Sequence, residues 1–335
     1  MKFAVVGAGA IGGFLGARLS LAGHDVTFIA RNKNLAAISQ NGFRLIEADG
    51  REQHAAKASA VAHGAEAGAQ DFVLLTVKAH QVRDVLPTLL GLLGHETAVV
   101  TMINGLPWWY FQRLPGPYEN RTLESVDPGG TVAAAIGAER VIGSVVYPAT
   151  ELLEPGLVRV IEGNRFTLGE PDGSRSPRIE ALSQAMMSAG FKAPVTKDIR
   201  AEIWLKLWGN ASFNPVSALT HATLEGICRD PGGRAAVEAM MKEAQAVADK
   251  LGVAFKISIE QRIAGAAAVG AHKTSMLQDV EHGRALELEA LVGSVVELGR
   301  ITGTPTPSID VVYGIAGLLA RTLAASKARL APSPA

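Results

Sequence analysis

The stretch Phe3-Ala4-Val5-Val6-Gly7-Ala8-Gly9-Ala10-Ile11-Gly12 decides how the first half of this chain is read. Four apolar residues suited to a buried strand run straight into Gly-x-Gly-x-x-Gly, and a helical pattern, Ile11 to Ala22, follows at once. That order makes the glycines informative, because the same pattern without its strand and helix is common. Gly7 allows a tight turn, Gly9 lets backbone approach a pyrophosphate, and Gly12 lets helix pack on strand. The helix N-terminus, with Ala10 and Ile11 in its first turn, then faces the phosphates. The alternative is a bare glycine-rich turn, and the register of strand, motif and helix favours a dinucleotide site.

Beyond the motif, apolar runs return at Val26 to Ile29, Phe43 to Ile46, Phe72 to Val77 and Ala98 to Ile103, separated by stretches suited to helices such as Gln81 to Leu93. This alternation predicts an α/β, Rossmann-type doubly wound parallel sheet. Further runs at Val141 to Tyr147, Gly156 to Ile161 and Arg165 to Leu168 are separated by turn residues and read as an antiparallel extension of that sheet. Pro171 to Pro177 reads as a loop before a helix over Arg178 to Ala189. After Lys197 only long helical patterns remain: Ile199 to Phe213, Gly233 to Leu251, Ile257 to Val269, Glu281 to Thr302 and Ile309 to Ala324. The expected domains are therefore 1–197, binding the dinucleotide, and an all-α domain at 198–330. The Ala/Pro/Ser tail Ala331 to Ala335 should fray.

Composition narrows the function. The 335 residues hold 32 Lys+Arg against 32 Asp+Glu and are 48% hydrophobic, which argues against global disorder and against attraction to nucleic acid or an anionic membrane. A single cysteine, Cys228, closes no disulfide within the chain, and the sequence has no Cys/His cluster for a metal. A reducing, cytoplasmic setting is expected. The apolar start Met1 to Leu15 is better explained by the glycine motif than by a signal peptide. The run Val311 to Leu319 is too short to cross a bilayer and should be a buried helix, so no membrane role is expected.

Cofactor choice turns on the end of the second strand. Enzymes that take NAD usually carry an acidic residue there, but here Ile29-Ala30 leads into Arg31, with Lys33 close by. Arg31 can pair with a 2′-phosphate, which favours NADP; alternatively it stacks on adenine or is a solvated loop charge. Lys78, after Leu74 to Val77, and Asn104, after Val99 to Ile103, end later strands where a nicotinamide would lie.

The helical half opens with Lys206, Asn210 and Asn214 at i, i+4 and i+8, one polar stripe flanked by Trp204, Leu205, Leu207 and Trp208. Such a stripe is either an interdomain polar seam or a set of groups awaiting a ligand. Pro215 should discourage further helix. Ser275 lies in an expected loop before a helix, and Glu287 follows twelve residues later; spacing alone favours a cap and a solvated helix charge, the alternatives being a carboxylate contact at Ser275 with nearby backbone N–H groups and a Glu287 that orients a lysine or binds a substrate hydroxyl. His80, His221, His272 and His282 form no His-carboxylate pair.

Gly7-Ala-Gly9-Ala-Ile-Gly12, Thr76-Val77-Lys78-Ala79, Asn104-Gly105, the Arg200 to Asn214 block ending in Asn-Pro, and Thr274 to Asp279 with Glu287 together resemble the ketopantoate reductase (2-dehydropantoate 2-reductase) family. The likeness runs from about Met1 to Leu319, and the Lys-x-x-x-Asn-x-x-x-Asn-Pro block with Ser-Met-x-Gln-Asp is its most specific part. The resemblance implies NADPH-dependent reduction of a 2-oxo acid, an active site in a cleft between two domains, and a homodimer. It also implies roles: Lys206 as general acid, Glu287 as its partner at ketone, substrate and cofactor, Asn210 and Asn214 as substrate clamps, Ser275 as carboxylate contact, and Lys78 and Asn104 beside the nicotinamide and substrate. Two stretches depart from the family pattern. Leu286-Glu287-Leu288-Glu289 stands where the family more often has Thr-Glu-Ile-Asp. Trp108-Trp109-Tyr110-Phe111 is an unusually aromatic continuation, which packs at a subunit interface or walls the substrate pocket.

Overall fold

The strands of the first half are β1 (Lys2–Val6), β2 (Asp25–Ile29), β3 (Phe43–Ile46), β4 (Glu52–Ala55), β5 (Ser59–Val61), β6 (Phe72–Leu75), β7 (Ala98–Thr101), β8 (Val141–Val146), β9 (Ala149–Glu154), β10 (Leu157–Glu162) and β11 (Phe166–Gly169), of which β4, β5 and β9 are not among the expected runs. Between them stand α1 (Ala10–Leu21), α2 (Asn32–Asn41), α3 (Gly64–Ala67), α4 (Val82–Leu90), α5 (Thr131–Ile136) and α6 (Pro177–Ser188). The computed structural model describes residues 1–330, so the tail expected to fray lies outside the described residues. Contacts divide the chain into two units: Met1–Thr122 with Asp127–Ile199, and Leu123–Val126 with the chain from Arg200 onward.

In the first unit the main sheet runs β5-β2-β1-β6-β7-β8-β11. Its first six strands are parallel, in the 3-2-1-4-5-6 order of a doubly wound dinucleotide sheet. The antiparallel extension expected from the sequence is only partly present. β8 joins parallel to β7, and β11 alone is antiparallel, against β8. β10 leaves this sheet for a second one, β4-β3-β10-β9, in which β3, read above as part of the alternating core, pairs parallel with β10. The physical reason is burial. Phe43, Leu45, Val158 and Val160 are all buried and share one core with α1, and a β-carbon on Gly13 of α1 would lie 2.2 Å from the Phe43 ring.

The second unit is helical among the described residues: α7 (Ile199–Thr220), α8 (Leu224–Arg229), α9 (Pro231–Lys250), α10 (Ile259–Ala268), α11 (Ser275–Glu281), α12 (Ser294–Thr302) and α13 (Pro307–Leu330). Three expectations are corrected here. Pro215 does not end α7, which continues to Thr220. The missing amide bond of a proline is outweighed by packing on both sides, where Phe213, Val216 and Ala218 are buried. The pattern over Glu281 to Thr302 is not one helix. Gly283, at φ 60°, ends α11 with backbone bonds from Gly283 to Val280 and from Arg284 to Asp279. A π-helical turn at Glu289–Gly293 then leads into α12.

The third correction concerns the run Val311 to Leu319, which is helical but not buried. Ile309 and Ala316 face inward, whereas Val311, Ile315 and Leu318 are 62%, 51% and 58% exposed. α13 packs on α9 and on the π-helical turn at Glu289–Gly293, leaving Val311, Ile315 and Leu318 exposed. By length and composition Pro307–Ser326 could cross a bilayer, with 11% of that stretch buried.

Candidate active site

Strand direction gathers the first set of candidate residues. β1, β2, β6 and β7 are parallel neighbours, with Val6 beside Ile29 and Leu75, and Leu75 beside Thr101. The glycine turn, Arg31, Lys78 and Asn104 therefore all follow the carboxyl ends of adjacent strands, where open α/β sheets bind ligands. Gly7 sits at φ 111°, a conformation that side chains avoid. A β-carbon on Gly12 would lie 2.0 Å from the carbonyl oxygen of Gly7, but one on Gly9 would meet nothing within 4 Å. The turn is thus closed toward the sheet and open above Gly9, a cradle that fits a pyrophosphate at the N-terminus of α1.

Sequence reading gave no role to Thr76, whose hydroxyl donates to the carbonyls of Gly7 (2.8 Å) and Val6 (3.1 Å) and braces the turn from β6. A hydroxyl one residue past an apolar strand was the available signal. Arg31 is exposed and forms the N-cap position of α2. The Lys78 backbone amide donates to Gln81 Oε1 at 3.1 Å and starts the short turn before α4. Asn104 is half-buried and precedes Gly105, at φ 86°. The aromatic run after it is packed within this unit. Trp109 Nε1 donates to Thr101 Oγ1 at 3.0 Å, its ring lies against Gly143 of β8, and Tyr110 and Phe111 are 1% and 0% exposed.

The helical unit assembles the second set. Lys206, Asn210 and Asn214 all lie on α7, on the face their spacing predicts. Glu287 lies 81 positions beyond Lys206, yet the tertiary fold puts its carboxylate where the lysine feels it. Glu287 is buried and Lys206 is half-buried. Removal from water pushes the Lys206 pKa down to about 8, and the attraction of Glu287 opposes the fall. At neutral pH the ammonium is still mostly protonated, held close to the point at which it can give up its proton.

Asn214 is buried, and its Nδ2 donates to Ser275 Oγ at 3.5 Å, a long bond that joins α7 to α11. Ser275 is not in a loop but is the first residue of α11. Nor is it the cap, because Thr274 Oγ1 accepts from the Leu277 amide at 3.2 Å. Ser275 itself is exposed, its hydroxyl at a helix start beside an amide donor. A proton-holding lysine, a buried carboxylate, and an amide–hydroxyl pair therefore occupy one helical unit.

Family models of the ketopantoate reductases cover both halves, the PanE/ApbA model over residues 3–108 and its C-terminal model over residues 198–320. A 2-dehydropantoate 2-reductase of Mesorhizobium japonicum is 54% identical over 321 residues, 96% of this chain and 98% of its own. The chain belongs to the ketopantoate reductase family. Ketopantoate reductases are NAD(P)-dependent oxidoreductases, and the open glycine turn is of a form to serve such a cofactor. Among solved structures, one from Ralstonia solanacearum MolK2, provisionally described as a ketopantoate reductase, superposes with a TM-score of 0.91 at 42% identity, covering 96% of this chain and 98% of that one. The 2-dehydropantoate 2-reductase of Geobacter metallireducens gives 0.83 at 28% identity, covering 95% and 99%. Membership places the chain among enzymes.

Proposed function

We propose that this chain reduces 2-dehydropantoate to pantoate with NADPH, supplying pantoate for pantothenate and coenzyme A. The observation that carries the reading is the 54% identity to a 2-dehydropantoate 2-reductase over 96% of the chain, and the desolvated Lys206, its pKa lowered to about 8 against the attraction of buried Glu287, fits the proton donor such a reduction needs. Gly7, Gly9, Ala10, Ile11 and Gly12 would hold the pyrophosphate, Arg31 the 2′-phosphate, and Lys78 and Asn104 the nicotinamide end. When bound, the dihydronicotinamide supplies the hydride that becomes the new C–H bond at C2. Lys206 Nζ stabilises the charge that builds on the ketone oxygen and gives that oxygen its proton, leaving a 2-hydroxy acid and a neutral amine. Glu287 favours the charged lysine and is the candidate contact for the substrate hydroxyl. Asn210 and Asn214 hold the substrate, and Ser275 meets its carboxylate. In this reading the domains are 1–197 for the dinucleotide and 198–330 for substrate and catalysis, and the enzyme works in the cytoplasm.

The reading also includes a homodimer. Its support is α13, whose exposed Val311, Ile315 and Leu318 follow 4-then-3 spacing, the seam spacing of paired helices. Sedimentation of the purified chain should show two copies, and Leu318→Glu should yield one.

The functional test follows NADPH absorbance with 2-dehydropantoate beside a panel of branched and aromatic 2-oxo acids, then repeats it with NADH. Turnover of 2-dehydropantoate should dominate, and Arg31→Ala should weaken NADPH by about tenfold or more while leaving NADH nearly unchanged. A second substrate reading rests on Leu286, which stands where the family more often has a hydroxyl beside the glutamate. Faster turnover of a more apolar oxo acid would establish it in place of 2-dehydropantoate.

A further inference from the structure

The first turn of α2 carries a side chain with no role so far. Asn34 Nδ2 donates to the carbonyl oxygen of Ala8 at 3.1 Å, bridging 26 residues to the middle of the glycine turn. Its Oδ1 is buried without a partner. The same turn of α2 begins at Arg31, whose carbonyl accepts from Leu35 at 3.3 Å, passes through Asn32 at φ 49°, and includes exposed Lys33.

Two consequences follow from this one bond. In a trans peptide the carbonyl and the following amide point in opposite directions. Holding the Ala8 carbonyl on the α2 side therefore turns the Gly9 N–H away from α2. The bond also fixes the start of α2 against the glycine turn, so Arg31 and Lys33 are held at a set distance from the backbone amides that would take the pyrophosphate.

A purely structural asparagine is a poor explanation. A buried unpaired acceptor costs stability, and an apolar side chain of similar size would remove that cost. Retaining the amide makes physical sense if its donor is what matters.

We infer that Asn34 is a positioning residue for coenzyme selection, coupling the anion-binding start of α2 to the glycine turn so that a 2′-phosphate and a pyrophosphate are gripped together. The inference rests on the NADPH reading given above. Asn34 touches the coenzyme through neither of its polar atoms in this account; it acts through Ala8 and through the placement of Arg31 and Lys33.

The test titrates NADPH and NADH separately into the purified full chain, for the wild type, Asn34→Leu and Asn34→Ala. Asn34→Leu keeps the branching at Cγ, loses the donor and adds no charge, so it decides the matter if the alanine variant folds poorly. The expected result is NADPH affinity lowered by about fivefold or more, as for a lost hydrogen bond that also frees its neighbours. NADH affinity should fall by a smaller factor, because NADH shares the pyrophosphate but lacks the 2′-phosphate, and the KM for the oxo acid should not change. A structural role alone would lower the melting temperature and weaken both coenzymes alike. If the wild-type preference for NADPH survives in Asn34→Leu, the inference is wrong and the cofactor reading stands. If the wild type has no such preference, the cofactor reading fails and takes this inference with it.

Discussion

The two sets of candidate residues are built by opposite means. In the first unit a backbone turn of six residues, Gly7 to Gly12, makes the proposed binding surface, and side chains such as Thr76 and Asn34 brace it. In the second unit the proposed reactive groups are side chains from distant segments, with Lys206 on α7 and Glu287 just before the π-helical turn, brought together only by helix packing. A site made of backbone tolerates almost no change in shape. A site made of side chains has its sensitivity in charge.

That contrast breaks most visibly at Lys206. Lys206→Ala should lower kcat by roughly a thousandfold, in the range of a lost general acid, while the NADPH dissociation constant measured by fluorescence changes less than about twofold. Near-normal turnover would show that the proton comes from elsewhere.

Two glycines sharpen the other side. Gly12→Ala, with its β-carbon 2.0 Å from a backbone carbonyl, should cost about 3 kcal/mol on a denaturation curve, as overpacking does. Gly9→Ala meets open space in the protein, so its melting temperature should stay near wild type while coenzyme affinity falls by about tenfold or more. Equal melting temperatures for the two variants would contradict the division of labour within the turn.

Charge can be probed without breaking shape. The Lys206 pKa lies at about 8, below its ordinary 10.5. Between those values the unfolded chain binds the extra proton, so stability rises with pH across that window; below about 8 the full cost of burying the ammonium is present. Replacing Lys206 alone would strand the Glu287 carboxylate, so the informative variant is Lys206→Met with Glu287→Gln. It should be inactive, yet more stable than wild type at pH 7 by up to about 3 kcal/mol. In the wild type, ketone reduction should fall as pH rises through about 8, because the proton donor is lost; the reverse oxidation should gain over the same range.

The smallest effect is expected at Ser275→Ala. Loss of one exposed hydroxyl at the start of α11 should raise the KM for the oxo acid by about fivefold and leave kcat almost unchanged.

The same contrast explains what could be read from residues alone. The glycine turn was legible because strand, turn and helix are consecutive and each glycine answers a local steric demand. Arg31, Lys78 and Asn104 were legible as ends of strands whose parallel order follows from alternation. The polar stripe on α7 followed from helical spacing, but spacing could not bring Glu287 to Lys206. The residues alone offered a glutamate that could orient a lysine, and the family resemblance tied it to Lys206. The second sheet escaped because β3 meets β10 across more than a hundred residues, and no local pattern records such a partner. Pro215 misled because a residue's local preference yields to buried neighbours, and the exposed face of α13 misled because an apolar run does not say which side has a partner.

One feature reaches beyond catalysis. Leu123–Val126, a piece of the helical unit, emerges from the ribosome long before the rest of it. Leu123 ends fully buried, and Glu297 receives the backbone amides of Glu124 (2.8 Å) and Ser125 (2.9 Å) together with the Ser125 hydroxyl (2.6 Å). During synthesis these four residues must wait for a carboxylate that is made more than 170 positions later. The helical unit cut out at Arg200 would lack its own early segment, so the chain is divisible into two units by contact but not by scissors.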